Sequence, residues 1–368
     1  MKIGVLTFHF GFNFGAVLQC YALLETLKGM NHDPQTINFI PPNYHHPHLW
    51  QYLELKAHPA KGIQRLFIKL LYSRKMLRKF DNFRNQHLFL SDHFNIANLY
   101  KTTKLYDCII VGSDQVWGAS HFSHLSYFLE QLSQFYGRRV SYAPCCGTNT
   151  HNSVYKDRIG VLLKRFDHIS VRNSETFHFV NEITGLKPPV VCDPTLLHTF
   201  DFSKQNTIKF PEEYILVFII GNELPGDYFS IIRKIHSIYG NIPVISIDIP
   251  NIRSHLFDWV NKTIWTASPI EWVSLIQNAT FILTDSFHGT LFALKFKKPF
   301  SAFYHEPSRA ARFKDLASRY NIHEFIYSNL IDISQAQSSR FIPDYTKITP
   351  LLDEHIQESQ FFLKTSLQ

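Results

Sequence analysis

The apolar positions of this chain come in short, nearly continuous runs separated by stretches of helical spacing. Lys2–Phe8, Gln35–Ile40 (bounded by Pro34 and Pro41-Pro42), Asp107–Gly112, Arg139–Ala143, His168–Val171 and Val190–Cys192 read as strands. Ala16–Met30 and Ser174–Thr184 read as helices between them. Apolar residues at Ile63, Leu66, Phe67, Leu70, Leu71, Leu77 and Phe80 predict a further amphipathic helix. The alternation then restarts. Strands are predicted at Tyr214–Ile220, Pro243–Ile247, Phe281–Thr284 and Pro299–Phe303. Helices are predicted at Gly226–Tyr239, Pro269–Asn278 (with Ser268 as cap), Ser286–Phe296, Arg309–Tyr320 and Ile348–Leu363. Unbroken apolar strands separated by helices belong to parallel sheets covered on both faces. Two such runs predict an α/β chain of two Rossmann-like domains facing a cleft, with a C-terminal helix.

The expected division is 1–200 for the first domain, 201–340 for the second and 341–368 for a helical tail. Leu197–Pro211 is the expected linker, since it is polar and holds no period. A length of 368 residues agrees with about two domains. The longest apolar run found, Tyr214–Ile220, is far short of the roughly 20 residues of a membrane-spanning helix. Met1–Phe10 lacks the pattern of a secretory signal, so a cytoplasmic protein is expected. The five cysteines show no CxxC spacing and suggest neither a disulfide frame nor a zinc site. Among 20 histidines, His45, His46 and His48 cluster in one loop, and His121 and His124 lie three apart. No cysteine or carboxylate stands near either group at zinc spacing, so no metal is expected.

Charge changes the picture in one place. The chain has 37 Lys and Arg against 30 Asp and Glu, a net +7. Between Trp50 and Leu90 there are nine basic residues and two acidic ones, also +7, so the remainder is neutral at 28 against 28. Basicity confined to one helical insertion (50–90) argues against general nucleic-acid binding. By default such a helix is a solvated face; its functional reading is attraction to an acidic glycan or, at the inner face of a membrane, peripheral contact with anionic lipid.

The candidate chemistry lies where strands end. Thr284-Asp285-Ser286-Phe287-His288-Gly289-Thr290 follows a strand and opens a helix, a natural anion site with Ser286 as cap. Taken alone, it reads rather as a capped turn with a packing histidine. Arg172 ends His168–Val171 and can grip a carboxylate or phosphate, or pair with Glu175 on the next turn. Asp193-Pro194-Thr195 reads as a turn. Gly11–Gly15 is neither GxGxxG nor a P-loop, though Asn13 and Gly15 can cradle a ligand. Asp114 and Gln115, beside Trp117, form a polar loop of the kind that lines sugar sites.

Together these segments resemble the polysaccharide pyruvyl transferase family over nearly the whole chain. The resemblance runs through Gly4-Val5-Leu6-Thr7-Phe8-His9, Asn13-Phe14-Gly15-Ala16-Val17-Leu18-Gln19, Asp107, and Val111-Gly112-Ser113-Asp114-Gln115-Val116-Trp117. It continues through Ile169-Ser170-Val171-Arg172, Asp193-Pro194-Thr195-Leu196-Leu197, the segment 284–290 and Lys298-Pro299-Phe300. It implies a GT-B-like fold and transfer of pyruvate from phosphoenolpyruvate to two hydroxyls of a sugar in a surface polysaccharide or its lipid-linked precursor, forming a ketal. It implies no resident cofactor, since phosphoenolpyruvate enters as donor substrate. His288 and Arg172 are then the expected catalytic residues. Asn13, Gly15, Asp114, Gln115, Ser286 and Gly289 are the expected binding residues, with the acceptor on the first domain and the donor on the second. Some members carry Arg-Leu-His where this chain has Ser286-Phe287-His288, so Arg309 or Arg312 is expected to replace the missing arginine. Two alternatives compete: a GT-B glycosyltransferase using a nucleotide sugar, with Glu271 or Asp285 as ribose ligand, and a non-catalytic glycan- or membrane-binding module.

Overall fold

A computed structural model describes residues 1–41, 59–118, 125–147, 153–202, 205, 208–221, 227–249, 259–304 and 307–368. The histidines at 45, 46, 48, 121 and 124 lie outside these residues. The chain forms two compact units, Met1–His45 with Arg84–Thr199 and Thr349–Gln368, and His46–Phe83 with Phe200–Ile348.

The first unit is built on six strands with helices between them. Strand β1 (Lys2–Leu6) leads to α1 (Phe14–Gly29) and β2 (Asp33–Phe39). Helix α2 (Pro59–His87) contributes only its last turn, from Arg84, to this unit. There follow β3 (Leu90–Phe94), β4 (Cys108–Val111), β5 (Arg138–Ser141), α3 (Ser153–Leu163), β6 (His168–Ile169), α4 (Ser174–Thr184) and the short α5 (Pro194–Leu197). The sheet order is β3-β2-β1-β4-β5-β6, and every pairing is parallel. β4 is buried along its whole length, which its continuous apolar sequence requires of a strand covered on both faces. β3 and β6 are the edge strands, and the Leu-Ser-Asp-His-Phe sequence of β3 lacks the continuous apolar run of β4.

Three sequence expectations need correction here. Val190–Cys192 is not a strand. Val190 makes one isolated bridge to Val171, and the Cys192 N–H donates to Ser359 Oγ at 2.8 Å instead of to a neighbouring strand. Asp193-Pro194-Thr195 is no plain turn, because Asp193 caps α5 and Pro194 takes the first helical position that its missing N–H suits. Residues 349–368 group with this unit and are not a separate tail. His355 Nε2 lies 3.1 Å from Val190 O, Arg138 donates to Ser366 O at 3.1 Å, and Leu363 is fully buried.

The second unit repeats the plan. It contains β7 (Ile215–Phe218), α6 (Tyr228–Tyr239), β8 (Val244–Ile247), β9 (Lys262–Ile264), α7 (Pro269–Asn278), β10 (Phe281–Thr284), α8 (Phe287–Lys295), β11 (Phe300–Phe303), α9 (Pro307–Tyr320), β12 (Ile326–Tyr327) and α10 (Leu330–Gln335). Helix α11 (Tyr345–Ser366) begins here. The sheet order is β12-β11-β10-β7-β8-β9, again parallel throughout. Ser268 caps α7 in a capping box: its hydroxyl accepts from the Glu271 N–H, and the Glu271 carboxylate accepts from the Ser268 N–H. The basic segment up to Phe83 packs with this unit, where the sequence division had placed it with the first. Lys79 meets Glu271 at 2.6 Å, and the Tyr72 ring stacks on Trp265 at 6.0 Å.

Both sheets follow the doubly wound order in which two halves spread from a central pair of strands. That pair is β1 and β4 in the first unit, and β7 and β10 in the second. Connections leave such a pair in opposite directions, so a crevice opens at its carboxyl edge, where ligands bind in this architecture.

Candidate functional site

At the first unit's switch point the loops after β1 and β4 are tied together. Thr7 Oγ1 donates to Ser113 O at 2.7 Å, and Gln19 Nε2 donates to Thr7 Oγ1, Phe8 O and Ala16 O. Gly112 permits this approach, since a Cβ there would lie 2.9 Å from Thr7 Cβ. Asn13 caps α1 by accepting from the Ala16 N–H at 3.1 Å, and Gly15 is buried in the first turn. Asp114 is held at φ 78°, a left-handed conformation uncommon for a residue with a side chain. Its Oδ1 accepts from the Gln115 N–H at 2.8 Å, and its carbonyl accepts from the Cys145 N–H at 2.8 Å.

Arg172 lies beneath this loop. Its side chain is 3% exposed and donates to Asp193 Oδ2 at 2.8 Å, with Asp114 Oδ1 4.0 Å from Nη2. Asp193 also accepts from Ser113 Oγ at 3.2 Å and from the Thr195 N–H and hydroxyl. The structure therefore joins three of the expected site residues, Arg172, Asp114 and (through Asp114) Gln115, and adds Ser113 and Asp193, which are not among them. In the sequence Asp193 reads as a turn residue within a segment of the family resemblance. Its role depends on a partner 21 positions away.

His9 is a third residue here that is not among the expected site residues. It is buried between Thr7 O at 3.0 Å and Asn38 Oδ1 at 3.2 Å, and burial lowers its pKa. Arg84 Nη1 donates to Gly11 O at 3.0 Å and fixes the turn between His9 and Asn13.

The second switch point gathers the remaining expected residues. Ser286 caps α8, accepting from the Gly289 N–H at 3.2 Å, and Thr290 returns both its N–H and its hydroxyl to Ser286 O. His288 is in the first turn and 8% exposed, its ring edge-on to Phe287 at 5.6 Å. Asp285 latches the end of the neighbouring central strand. Its carboxylate accepts from the N–H groups of Ile220 and Gly221, each at 2.7 Å, and from Arg309 Nη1 at 3.2 Å. Burial pushes the Asp285 carboxyl above its ordinary pKa, while the two N–H groups and Arg309 pull the other way. Arg312 lies over the Phe287 ring at 5.7 Å, a cation–π distance. Both arginines proposed as substitutes thus stand at this helix terminus.

Gly221 carried no signal in the sequence, yet the latch requires it. A Cβ there would meet Asp285 Oδ2 at 2.6 Å and Arg309 Nη1 at 2.9 Å. Gly221→Ala is expected to push the carboxylate off the two N–H groups and destabilise the second unit by about 1–3 kcal/mol. A thermal melt checks this, and an unchanged midpoint would contradict the latch.

The two carboxylates considered as ribose ligands are both engaged inside the protein. Glu271 closes the α7 capping box and pairs with Lys79, and Asp285 forms the latch. Among the described residues, no group of three or more His, Cys, Asp or Glu is placed to hold a metal ion. All five cysteines are buried free thiols. No helix among the described residues is long and apolar enough to cross a membrane.

Two doubly wound units of this order, each with its polar cluster at the carboxyl edge, define a GT-B-like protein. Solved structures of low identity share the fold. The UDP-GlcNAc 2-epimerase of Neisseria meningitidis, bound to UDP-GlcNAc, is 12% identical with a TM-score of 0.51, covering 100% of this chain and 99% of its own. The S. aureus MnaA–UDP co-structure is 14% identical with a TM-score of 0.51, covering 96% and 91%. The UDP-GlcNAc 2-epimerase of Methanocaldococcus jannaschii is 12% identical with a TM-score of 0.50, covering 95% and 98%. No curated protein matches the chain. The family model for polysaccharide pyruvyl transferase matches residues 13–307, and the chain belongs to that family.

Proposed function

We propose that the protein transfers pyruvate from phosphoenolpyruvate to two hydroxyls of a sugar, in a surface polysaccharide or its lipid-linked precursor at the cytoplasmic side. The observation that carries this reading is the second switch point. A capped helix terminus, a buried imidazole and two arginines gather there, in a chain of this family. A small trianionic donor is the ligand such a cluster suits, since first-turn N–H groups and guanidinium groups both favour phosphate and carboxylate.

The reaction forms two C–O bonds at C2 of the donor and breaks its bond to the phosphate oxygen. Of the two hydroxyl protons, one ends on the methylene carbon, making the methyl group, and the other leaves with phosphate. His288 is assigned the delivery of the proton to the methylene. The amino terminus of α8 (capped by Ser286, with Gly289 in its first turn), Arg309 and Arg312 are assigned the donor's charges. The acceptor is assigned to the first unit, at Asn13, Gly15, Asp114 and Gln115. Arg172 is assigned a positioning role. Its guanidinium is held beside Asp193 and Asp114, a different task from the direct donor grip expected from the sequence.

The test is to incubate purified protein with phosphoenolpyruvate and a panel of free and lipid-linked oligosaccharides. Phosphate release and a pyruvyl adduct by mass spectrometry are expected together. Absence of the adduct across the panel, with no thermal protection by millimolar phosphoenolpyruvate but protection by a nucleotide sugar, would replace this reading with glycosyl transfer.

A further inference from the structure

We propose that the exposed face of α2 docks on an anionic lipid bilayer. The helix has two faces. Ser73, Met76, Phe80 and Phe83 are buried. Leu71, Arg74, Lys75, Arg78 and Asn82 are exposed, at the i, i+3, i+4, i+7 and i+11 positions of the opposite face. Two other basic residues of the helix have internal tasks, Lys79 with Glu271 and Arg84 with Gly11 O. Among the described residues, Arg74, Lys75 and Arg78 pair with no acidic side chain. They form a one-sign stripe within the only strongly basic segment of an otherwise neutral chain.

Like charges three and four residues apart repel, so the stripe costs the isolated helix a little stability. A surface dense in negative charge reverses the sign of that term. The apolar content selects lipid over nucleic acid. Leu71 opens the stripe at 53% exposure, and Leu77 flanks it at 37%. Basic and large apolar residues interleaved on one helix are the composition of helices that lie in the bilayer interface. Such a position would hold the protein where lipid-linked acceptors are found, but the inference rests on the charge and exposure of α2, independent of the pyruvyl transfer reading.

Flotation of the full-length protein with vesicles tests it. Phosphatidylcholine alone is compared with phosphatidylcholine containing about 30% phosphatidylglycerol, near the charge density of an anionic leaflet. At least tenfold more protein is expected on the anionic vesicles. The excess is expected to vanish at about 0.5 M salt, where screening shortens to a few ångströms. The triple variant Arg74→Gln, Lys75→Gln, Arg78→Gln is expected to fall to the level of neutral vesicles, with its melting curve preserved. Leu71→Gln alone is expected to lower binding severalfold. Equal binding to both vesicle types overturns the proposal. So does a folded triple variant that floats like the wild type, or tighter binding of a DNA duplex than of anionic vesicles at the same salt. No turnover is measured, so failure here is separate from failure of the transferase reading.

Discussion

His288→Ala abolishes adduct formation by about 10²–10⁴-fold, the usual contribution of a positioned proton donor. The fold survives, for a local reason. The α8 cap is made by Ser286 with Gly289 and Thr290, not by the imidazole, and alanine favours the helix more than histidine does. Circular dichroism and the melting midpoint therefore change little. The remaining question is which step the imidazole serves, and the kinetic parameters separate the cases. If His288 delivers the proton to the methylene, kcat falls while thermal protection by phosphoenolpyruvate persists. If it mainly holds phosphate, protection falls with turnover. A His288→Ala enzyme with full kcat would remove the residue from the chemistry.

Arg172→Met lowers the stability of the first unit by about 3–5 kcal/mol, because removing one partner strands the other as a buried charge. Asp193 keeps its donors from Ser113 and Thr195 but loses the cation 2.8 Å away, and Asp114 loses its neighbour at 4.0 Å. Arg172→Lys restores part of the loss. It supplies a charge without the planar fork that reaches Asp193 and Asp114 together. A chain of two units need not melt in one step, so hydrogen exchange along β4 and β5 is the appropriate readout. Phosphoenolpyruvate protection, measured on the same variant, discriminates between the two roles of Arg172. A positioning role predicts weakened β4 and β5 with donor protection retained. A direct grip predicts the reverse, intact exchange and lost protection.

Much of this molecule is written in short-range pattern. The apolar runs at Ile109-Ile110-Val111 and Phe281-Ile282-Leu283 can only be covered strands, and they are. Ser268 with Pro269 and Glu271 announces a helix start, since each part of a capping box lies within three residues of the others. Ser174–Thr184 has the bounds expected, and the structure shows why: Asn173 caps its start and Gly185 ends it in a left-handed conformation. Three of the four edge strands, all but His168–Ile169, carry no strand signal for an equally local reason. Leu90–Phe94, Lys262–Ile264 and Ile326–Tyr327 are short or polar, as strands with one open side tend to be.

What the sequence alone determined, then, was the two-unit α/β class, the family, and the residues standing at strand ends. Those follow from periodicity, caps and turn residues, interactions that reach three or four positions along the chain. Only the tertiary structure decided which strand ends meet. The order that puts β1 beside β4 and β7 beside β10 creates both crevices. It also brings Asp285 to the N–H groups of residues about 65 positions earlier and Cys192 to Ser359, 167 positions later. It sets Arg172 against Asp193. Such pairings depend on chain topology and on excluding water from buried charge, and no local window of sequence carries either.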